Sequence, residues 1–308
     1  MDVKLHSKIK HRILAYYFGV WKNVFKSNRI HSLVYVDLFA GDGSCTCSQM
    51  PEELIEKYPG DCLRDWKPPY FNLMDYAKDA NFNLRCIFND WDSEQIEKLK
   101  ENLKEHTDFV EKFFCADANI CYPEILKLIG KPNRPSLFFL DPFYHDQLKF
   151  STIQGIANFM DEKTGRKPEL IINLMIEPML LALKRNTEKD FNLITTSLGT
   201  DTWREQLPNY KKQGKSHILF RNVFLGQIQA LGYLTSSYYV YSTETKSPQY
   251  YLIFATYNKN VHAIHKQIKP KIEALQKKEW VRKNFQIREI VNALADGRQK
   301  QLSDYTPA

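Results

Sequence analysis

Several features are missing from this chain of 308 residues, and each absence excludes a class of protein. There is no long apolar run: the stretch Leu170–Ile176 is interrupted by Asn173 and falls far short of the roughly 20 residues that span a bilayer. No membrane association is expected. The opening MDVKLHSKIKHR has no apolar segment of the secretory kind, so no leader is predicted. Cysteine is sparse, with six in the chain, which predicts a reduced, cytoplasmic protein without a disulfide framework. The loop at Gly41–Gly43 is not followed by Gly-Lys-Ser/Thr, so it is not a P-loop. No internal repeat or low-complexity tract stands out. What is present suits a soluble globular fold: 43% hydrophobic and 26% charged residues, with mean hydropathy -0.47.

Positive charge collects at the two ends. Residues 1–30 carry seven Lys/Arg and one Asp, and residues 259–308 carry eleven Lys/Arg and five Asp/Glu. The body, 31–258, is mildly acidic although the chain as a whole is +7. Basic arms favour a polyanion, because neutralising phosphates releases counterions. Nucleic acid, RNA or DNA, is therefore the expected partner. The aromatics among these cations (Tyr16, Tyr17, Trp21, Trp280, Phe285) suit base stacking, and equally suit the core face of amphipathic helices.

Hydrophobic periodicity predicts alternating helices and strands. A helix over 8–26 is followed by a strand at 33–36 and a helix at 70–80. A strand at 84–88 leads to a helix at 93–104 with Ser93 as its N-cap. Next come a strand at 110–115, a helix at 122–129 behind a proline, a strand at 137–140, a helix at 151–160 and a strand at 170–174. Helices near 177–185, 201–206 and 216–231 precede two strands, 233–241 and 250–257. The turn between those two is too short for a crossover, so they form a hairpin. The pattern predicts an α/β, doubly wound, Rossmann-like sheet, mostly parallel with one antiparallel strand, plus N- and C-terminal helical additions. The parts are a basic helix in 1–30 packed on the core, a domain over 31–258 and a basic helical extension over 259–308. Residues 145–258 are expected to be consumed by the fold, leaving no separate target-recognition domain.

Ligands bind such sheets beyond the carboxyl ends of the strands, so four strand ends matter. The first reads YVDLFAGDG over 35–43. Its glycines allow a close backbone approach. Asp37 suits a positively charged amino group, whereas Asp37 and Asp42 would repel a pyrophosphate. A dinucleotide fingerprint also needs a third glycine, and Thr46 stands there. The second end offers Asp90, or alternatively Asn89, to a ribose diol. The third offers Asp117. Taken singly, Asp90 and Asp117 also suit turn or cap positions. The fourth reads Asp141-Pro142-Phe143-Tyr144. His145 beside it is read as a bystander.

DLFAGDG after an apolar strand resembles motif I of S-adenosylmethionine-dependent methyltransferases. That resemblance implies S-adenosylmethionine as cofactor, held by Asp37, Phe39, Ala40, Gly41, Gly43 and Asp90, with Asp117 accepting from the adenine amino group. Asp141–Tyr144 resembles the [D/N/S]PP[Y/F] motif of amino-methyltransferases, with Phe143 in place of the second proline. It implies that the Asp141 side chain and the Pro142 carbonyl accept hydrogen bonds from a target amine. Either Phe143 or Tyr144 would then stack on the extruded base. Residues 44–69 delay the helix that ordinarily follows motif I and are expected to form a lid. Cys45, Cys47 and Cys62 offer three thiolates without a CxxC step, so no metal is expected.

The leading helix with Trp21, YVDLFAGDG, FFLDPF, ELIINLM, the Trp203 segment and QYYLIFATYNKNVHAIHKQI together resemble the three-Cys-motif partner protein (TcmP) family over most of 8–268. The resemblance implies a methyltransferase fold of bacteria and their phages. It also implies a protein partner encoded nearby that carries the namesake cysteines, so Cys45, Cys47 and Cys62 are not that motif. Three functions remain open. The first is N-methylation of an exocyclic amine on a nucleic-acid base. The second is a methyltransferase-fold binding or partner protein without transfer activity, in a phage-related or defence system. The third is methylation of a protein or small molecule.

Overall fold

The computed structural model describes residues 7, 10, 11, 13–15, 17, 18, 32–46, 65–79, 82–131, 134–241, 247–263 and 265. Most of the basic arms at 1–30 and 259–308, the middle of the expected lid (47–64, with Cys47 and Cys62) and parts of the leading helix lie outside them.

One seven-stranded sheet organises the molecule. Its strands are β1 (Ser32–Asp37), β4 (Asn83–Asp90), β5 (Val110–Cys115), β6 (Ser136–Leu140), β7 (Glu169–Met175), β8 (Leu234–Tyr241) and β9 (Pro248–Thr256). They lie side by side in the order β5-β4-β1-β6-β7-β9-β8. Every pairing is parallel except those of β9, which runs antiparallel to both β7 and β8. The final hairpin therefore inserts its second strand between β7 and β8. This is the Rossmann-like methyltransferase sheet that the pattern predicts. A small ladder, β2 (Cys45–Thr46) with β3 (Asp65–Trp66), closes the base of the 44–69 insertion.

The inner strands β1, β4, β6, β7 and β9 are largely buried on both faces, while the edge strands β5 and β8 are only partly covered, and side chains alternate between two cores. Val34, Val36, Phe138, Leu140, Ile172 and Leu174 point to one core, under α3 (Ala118–Ile129), α4 (Phe150–Ala157) and the helices between β7 and β8. Leu33, Tyr35, Leu137, Phe139, Ile171 and Leu252 point to the other, under α1 (Tyr70–Asp79), α2 (Ser93–Asn102) and the leading helix. In the leading helix Ile13, Leu14, Tyr17 and Phe18 are buried against that second face.

Several boundaries differ from expectation for local reasons. The N-cap of α2 is Asp92, not Ser93: its carboxylate accepts from Glu94 N at 2.8 Å. Helix α3 begins four residues before the expected start, because Asp117 caps it and Pro123 is carried inside. Between β7 and β8 there are four helices: α5 (Ile176–Arg185), α6 (Glu188–Leu198), α7 (Trp203–Lys212) and α8 (Ser216–Ala230). That is more than a crossover needs. Periodicity did not predict α6, whose β-branched Ile194, Thr195 and Thr196 lower helix propensity. A Thr187 cap and the burial of Ile194 and Leu198 hold it instead. Helix α7 runs past Pro208 to Lys212, six residues beyond the expected end. No helix among the described residues is long and apolar enough to cross a membrane.

Candidate active site

Strand alternation builds the site. Tyr35 and Asp37 on β1, Phe139 on β6, Asn173 and Met175 on β7 and Tyr250 on β9 share one face of the sheet, at the carboxyl ends of the parallel strands. Asp141 follows β6 on the same side. The leading helix crosses above and contributes Lys10 and His11. Together they line a cavity of about 310 Å³, closed on one side by Pro68, Pro69 and Tyr70 at the end of the insertion. That volume lies at the lower end of small-molecule sites.

The first strand end is a turn held by its own carboxylate. Asp37 accepts from Phe39 N at 3.1 Å and from the Tyr35 hydroxyl at 3.0 Å. It is buried, and desolvation pushes its carboxyl up to about 7, against the pull of those two bonds. Asp141 and Asp90 nearby add to the rise. Gly41 and Gly43 both have left-handed φ, 60° and 75°, which a side chain would strain. A Cβ on Gly43 would also come within 2.8 Å of Leu99 Cδ1.

The next two acids are also tied to backbone. Asp90 ends β4 and is buried. It accepts from Gly41 N and from Asp92 N, both at 3.0 Å, which fixes the motif loop to the neighbouring strand. Burial raises its carboxyl above the usual range, with those backbone bonds opposing. Asn89 donates to the Leu38 and Ala116 carbonyls and is a structural clamp between three strand ends. Asp117 is exposed and caps α3 through Asn119 N at 2.7 Å.

The fourth end is held by distant side chains. Asp141 forms an ion pair with Lys10 Nζ and accepts from Asn173 Nδ2 at 2.6 Å. The backbone amides of Phe143 and Tyr144 both donate to Gln147 Oε1, at 2.7 and 3.1 Å, which fixes the turn after Pro142. Phe143 and Tyr144 are left half-exposed or more, at 52% and 61%. His145 is buried beneath the turn, and burial lowers its basicity. It packs there away from the cavity.

Of the residues expected at the cofactor, Asp37, Phe39, Ala40 and Gly41 line the cavity, while Gly43, Asp90 and Asp117 stand behind or beside it. Of the expected amine-binding set, Asp141, Pro142 and Phe143 line it and Tyr144 does not. Lys10, Asn173, Tyr70 and Tyr250 were not anticipated. The residues present fit S-adenosylmethionine. Buried Asp37 and neighbouring Asp42 suit its cationic amino and sulfonium groups. The Tyr70 hydroxyl, a cavity-lining group buried without a hydrogen-bond partner among the described residues, offers a donor to its carboxylate. Cys45, the one cysteine among the described residues that lines the cavity, contacts His11 Nδ1 at 3.7 Å, and burial pushes its thiol up to about 12. It stays a thiol at neutral pH and is a poor nucleophile.

No family model matches the chain, and no curated protein matches it. Solved structures are similar to it at low identity. A Legionella pneumophila str. Philadelphia 1 protein described by the family model DUF519 is 10% identical, with 86% of this chain and 91% of that one covered and a TM-score of 0.49. A precorrin-6y C5,15-methyltransferase from Geobacter metallireducens GS-15 is 12% identical, with 74% and 81% covered and a TM-score of 0.34. The cofactor-bound protein Rv0187 from MTB is 11% identical, with 84% and 83% covered and a TM-score of 0.41. The fold assignment rests on the strand order itself, and the TcmP resemblance rests on the motifs quoted above.

Proposed function

We propose that this chain is an S-adenosylmethionine-dependent N-methyltransferase that modifies an exocyclic amine of a nucleic-acid base. The observation that carries this reading is Asp141. It lines the cavity at the strand end next to the Asp37 loop and already accepts N–H donors from Lys10 and Asn173.

When bound, the cofactor supplies a methyl group on a sulfonium sulfur. The chain's own task is positioning. Asp37 and the Gly41 loop hold the cationic end. Asp141 and the Pro142 carbonyl accept the two N–H bonds of the amine, which leaves the nitrogen lone pair free to point at the methyl. Phe143, at the cavity edge on a turn fixed by Gln147, stacks on the base; Tyr144 lies further out. The nitrogen sheds one proton for the methyl it gains, and Asp141 is the base within reach.

A second reading has one observation in its favour. Lys10 occupies an acceptor position of Asp141, as it would in a binding or partner protein that transfers nothing. Incubation with labelled S-adenosylmethionine and separate pools of genomic DNA, tRNA and ribosomal RNA distinguishes the two. The proposal expects label in one pool, absent with Asp141→Ala. Equal labelling by Asp141→Ala would remove Asp141 from the chemistry, and no label in any pool would favour the second reading.

A further inference from the structure

The sheet has two edges of opposite charge. Residues 83–117, which build the β4–β5 edge, hold nine Asp/Glu against five Lys/Arg. Residues 203–241 and 247–257, which build the β8–β9 edge, hold five Lys/Arg against the single Glu205. On that second edge Lys211, Lys212 and Lys215 stand exposed on the turn between α7 and α8, and Arg221 follows one turn into α8. None of the four is paired with a carboxylate among the described residues. Unpaired cations on one face mark an anion-binding surface more strongly than cations laced with acids.

Aromatic rings accompany these cations. The His217 ring stacks on Tyr239, with centroids 5.7 Å apart and planes at 26°. Tyr239 in turn lies 5.7 Å from Tyr241 and 5.1 Å from Tyr251, and Arg221 sits over the Tyr251 ring. His217, Tyr239 and Tyr241 are each only partly buried. Direction matters as well. Strand β8 runs parallel to β7, because both are antiparallel to β9. Tyr241 and the start of α8 therefore lie at the same end of the sheet as the cavity. Val240 pairs with Tyr250, and Tyr250 and Gln249 line the cavity itself. The strip thus begins one strand over from the site but on the opposite face of the sheet, so a bound strand rounds the carboxyl end of β8 to reach the cavity.

We propose that the α7–α8 turn and the outer face of β8 form a track for a single-stranded stretch of nucleic acid flanking the target base. Lys211, Lys212, Lys215 and Arg221 contact phosphates, and Tyr239 and His217 provide stacking faces. This rests on the nucleic-acid reading above. It gives α7 and α8, more than the crossover requires, a role in holding substrate. A strand with unstacked bases is the occupant chosen because cations interleaved with partly exposed aromatics suit single strands more than duplexes.

The test compares two charge-reversed forms of the full chain. One carries Lys211→Glu, Lys212→Glu and Lys215→Glu. The control carries Lys98→Glu, Lys100→Glu and Lys104→Glu on the acidic edge. Fluorescence anisotropy with a labelled mixed-sequence 20-mer single strand is read across a salt titration, and folding is checked by circular dichroism. The track predicts at least a tenfold loss of affinity for the first form, with a salt slope shallower by about 2, since each lost phosphate contact removes about 0.7. It predicts less than a twofold change for the control, and a raised KM with unchanged kcat for methyl transfer by the first form. Equal losses in both forms, or no loss in the first, would overturn the track while leaving the nucleic-acid reading intact. Failure of the wild type to bind any strand would overturn that reading itself. Retention of the wild type on polyglutamate through the same lysines, without strand binding, would assign the face to an acidic protein instead.

Discussion

The two halves of the sheet satisfy their strand-end carboxylates in different ways. On the β1–β4–β5 side, Asp37, Asp90, Asp92 and Asp117 each accept from a backbone amide two residues ahead. These contacts are local, so the short stretch of sequence that places the acid also folds a partner around it, and Asp90 adds one distant donor, Gly41 N, 49 residues earlier. On the β6–β7 side, Asp141 is held by Lys10, 131 residues earlier, and by Asn173, 32 residues later. No local rule supplies those partners. The first half is a preset cradle. The second is assembled only when the leading helix docks and β7 joins the sheet. On the proposed function, a cofactor loop benefits from being preset, whereas an acid that receives a substrate amine can use partners that exchange.

The comparison can be broken most sharply at Asp141. Asp141→Ala should lower methyl transfer by about 10² to 10³ or more, the scale of losing a transition-state contact, while leaving cofactor affinity unchanged in a calorimetric titration. Lost cofactor affinity would mean that the two halves are not separate.

Lys10→Ala leaves Asp141, nearly buried, with one donor fewer. It should cost about 1–3 kcal/mol in denaturant unfolding, the scale of an unsatisfied buried polar group. An unchanged midpoint would show that the helix contributes no energy through this pair.

The pH dependence sharpens the other half. Asp37 has its carboxyl raised to about 7 from an ordinary value of 3.8. Below 7 it is mostly protonated, so affinity for the cationic cofactor should fall about tenfold per pH unit as pH drops from 7 to 5. Asp37→Asn should flatten that profile. The sign for stability runs the other way. A raised folded value means that the group's contribution to the ligand-free fold is full below about 4 and is lost as pH rises through 7. A wild-type affinity profile already flat between pH 5 and 8 would contradict the burial argument.

The smallest effect belongs to Asp117. Asp117→Ala removes a helix cap and should cost about 1 kcal/mol. A much larger loss of cofactor affinity than of stability would restore it to the adenine-binding role that the methyltransferase resemblance implies.

These contrasts also explain what could be read in advance. Strand order and the final hairpin followed from alternation and loop length, because both are local. DLFAGDG announced itself because its glycines and acids serve one turn. Lys10 left a trace that was not used: positions 10, 13, 14 and 17 form one helical stripe, and Lys10 is its lone charge. Asn173 left another, as the polar interruption in buried ELIINLM. Each is a polar residue on an apolar face, which must find a partner when buried, yet nothing local says that the partner is Asp141. Helix α6 stayed hidden because its β-branched residues point away from helix, and tertiary burial of Ile194 and Leu198 decides the matter.

The most direct test of the central claim is chemical. Nucleic acid treated with the protein and S-adenosylmethionine is digested to nucleosides and analysed by mass spectrometry. The account predicts a nucleoside carrying one added methyl on its exocyclic nitrogen, present with the wild type and absent with Asp141→Ala. A methyl on a ring carbon or on the ribose oxygen would contradict it.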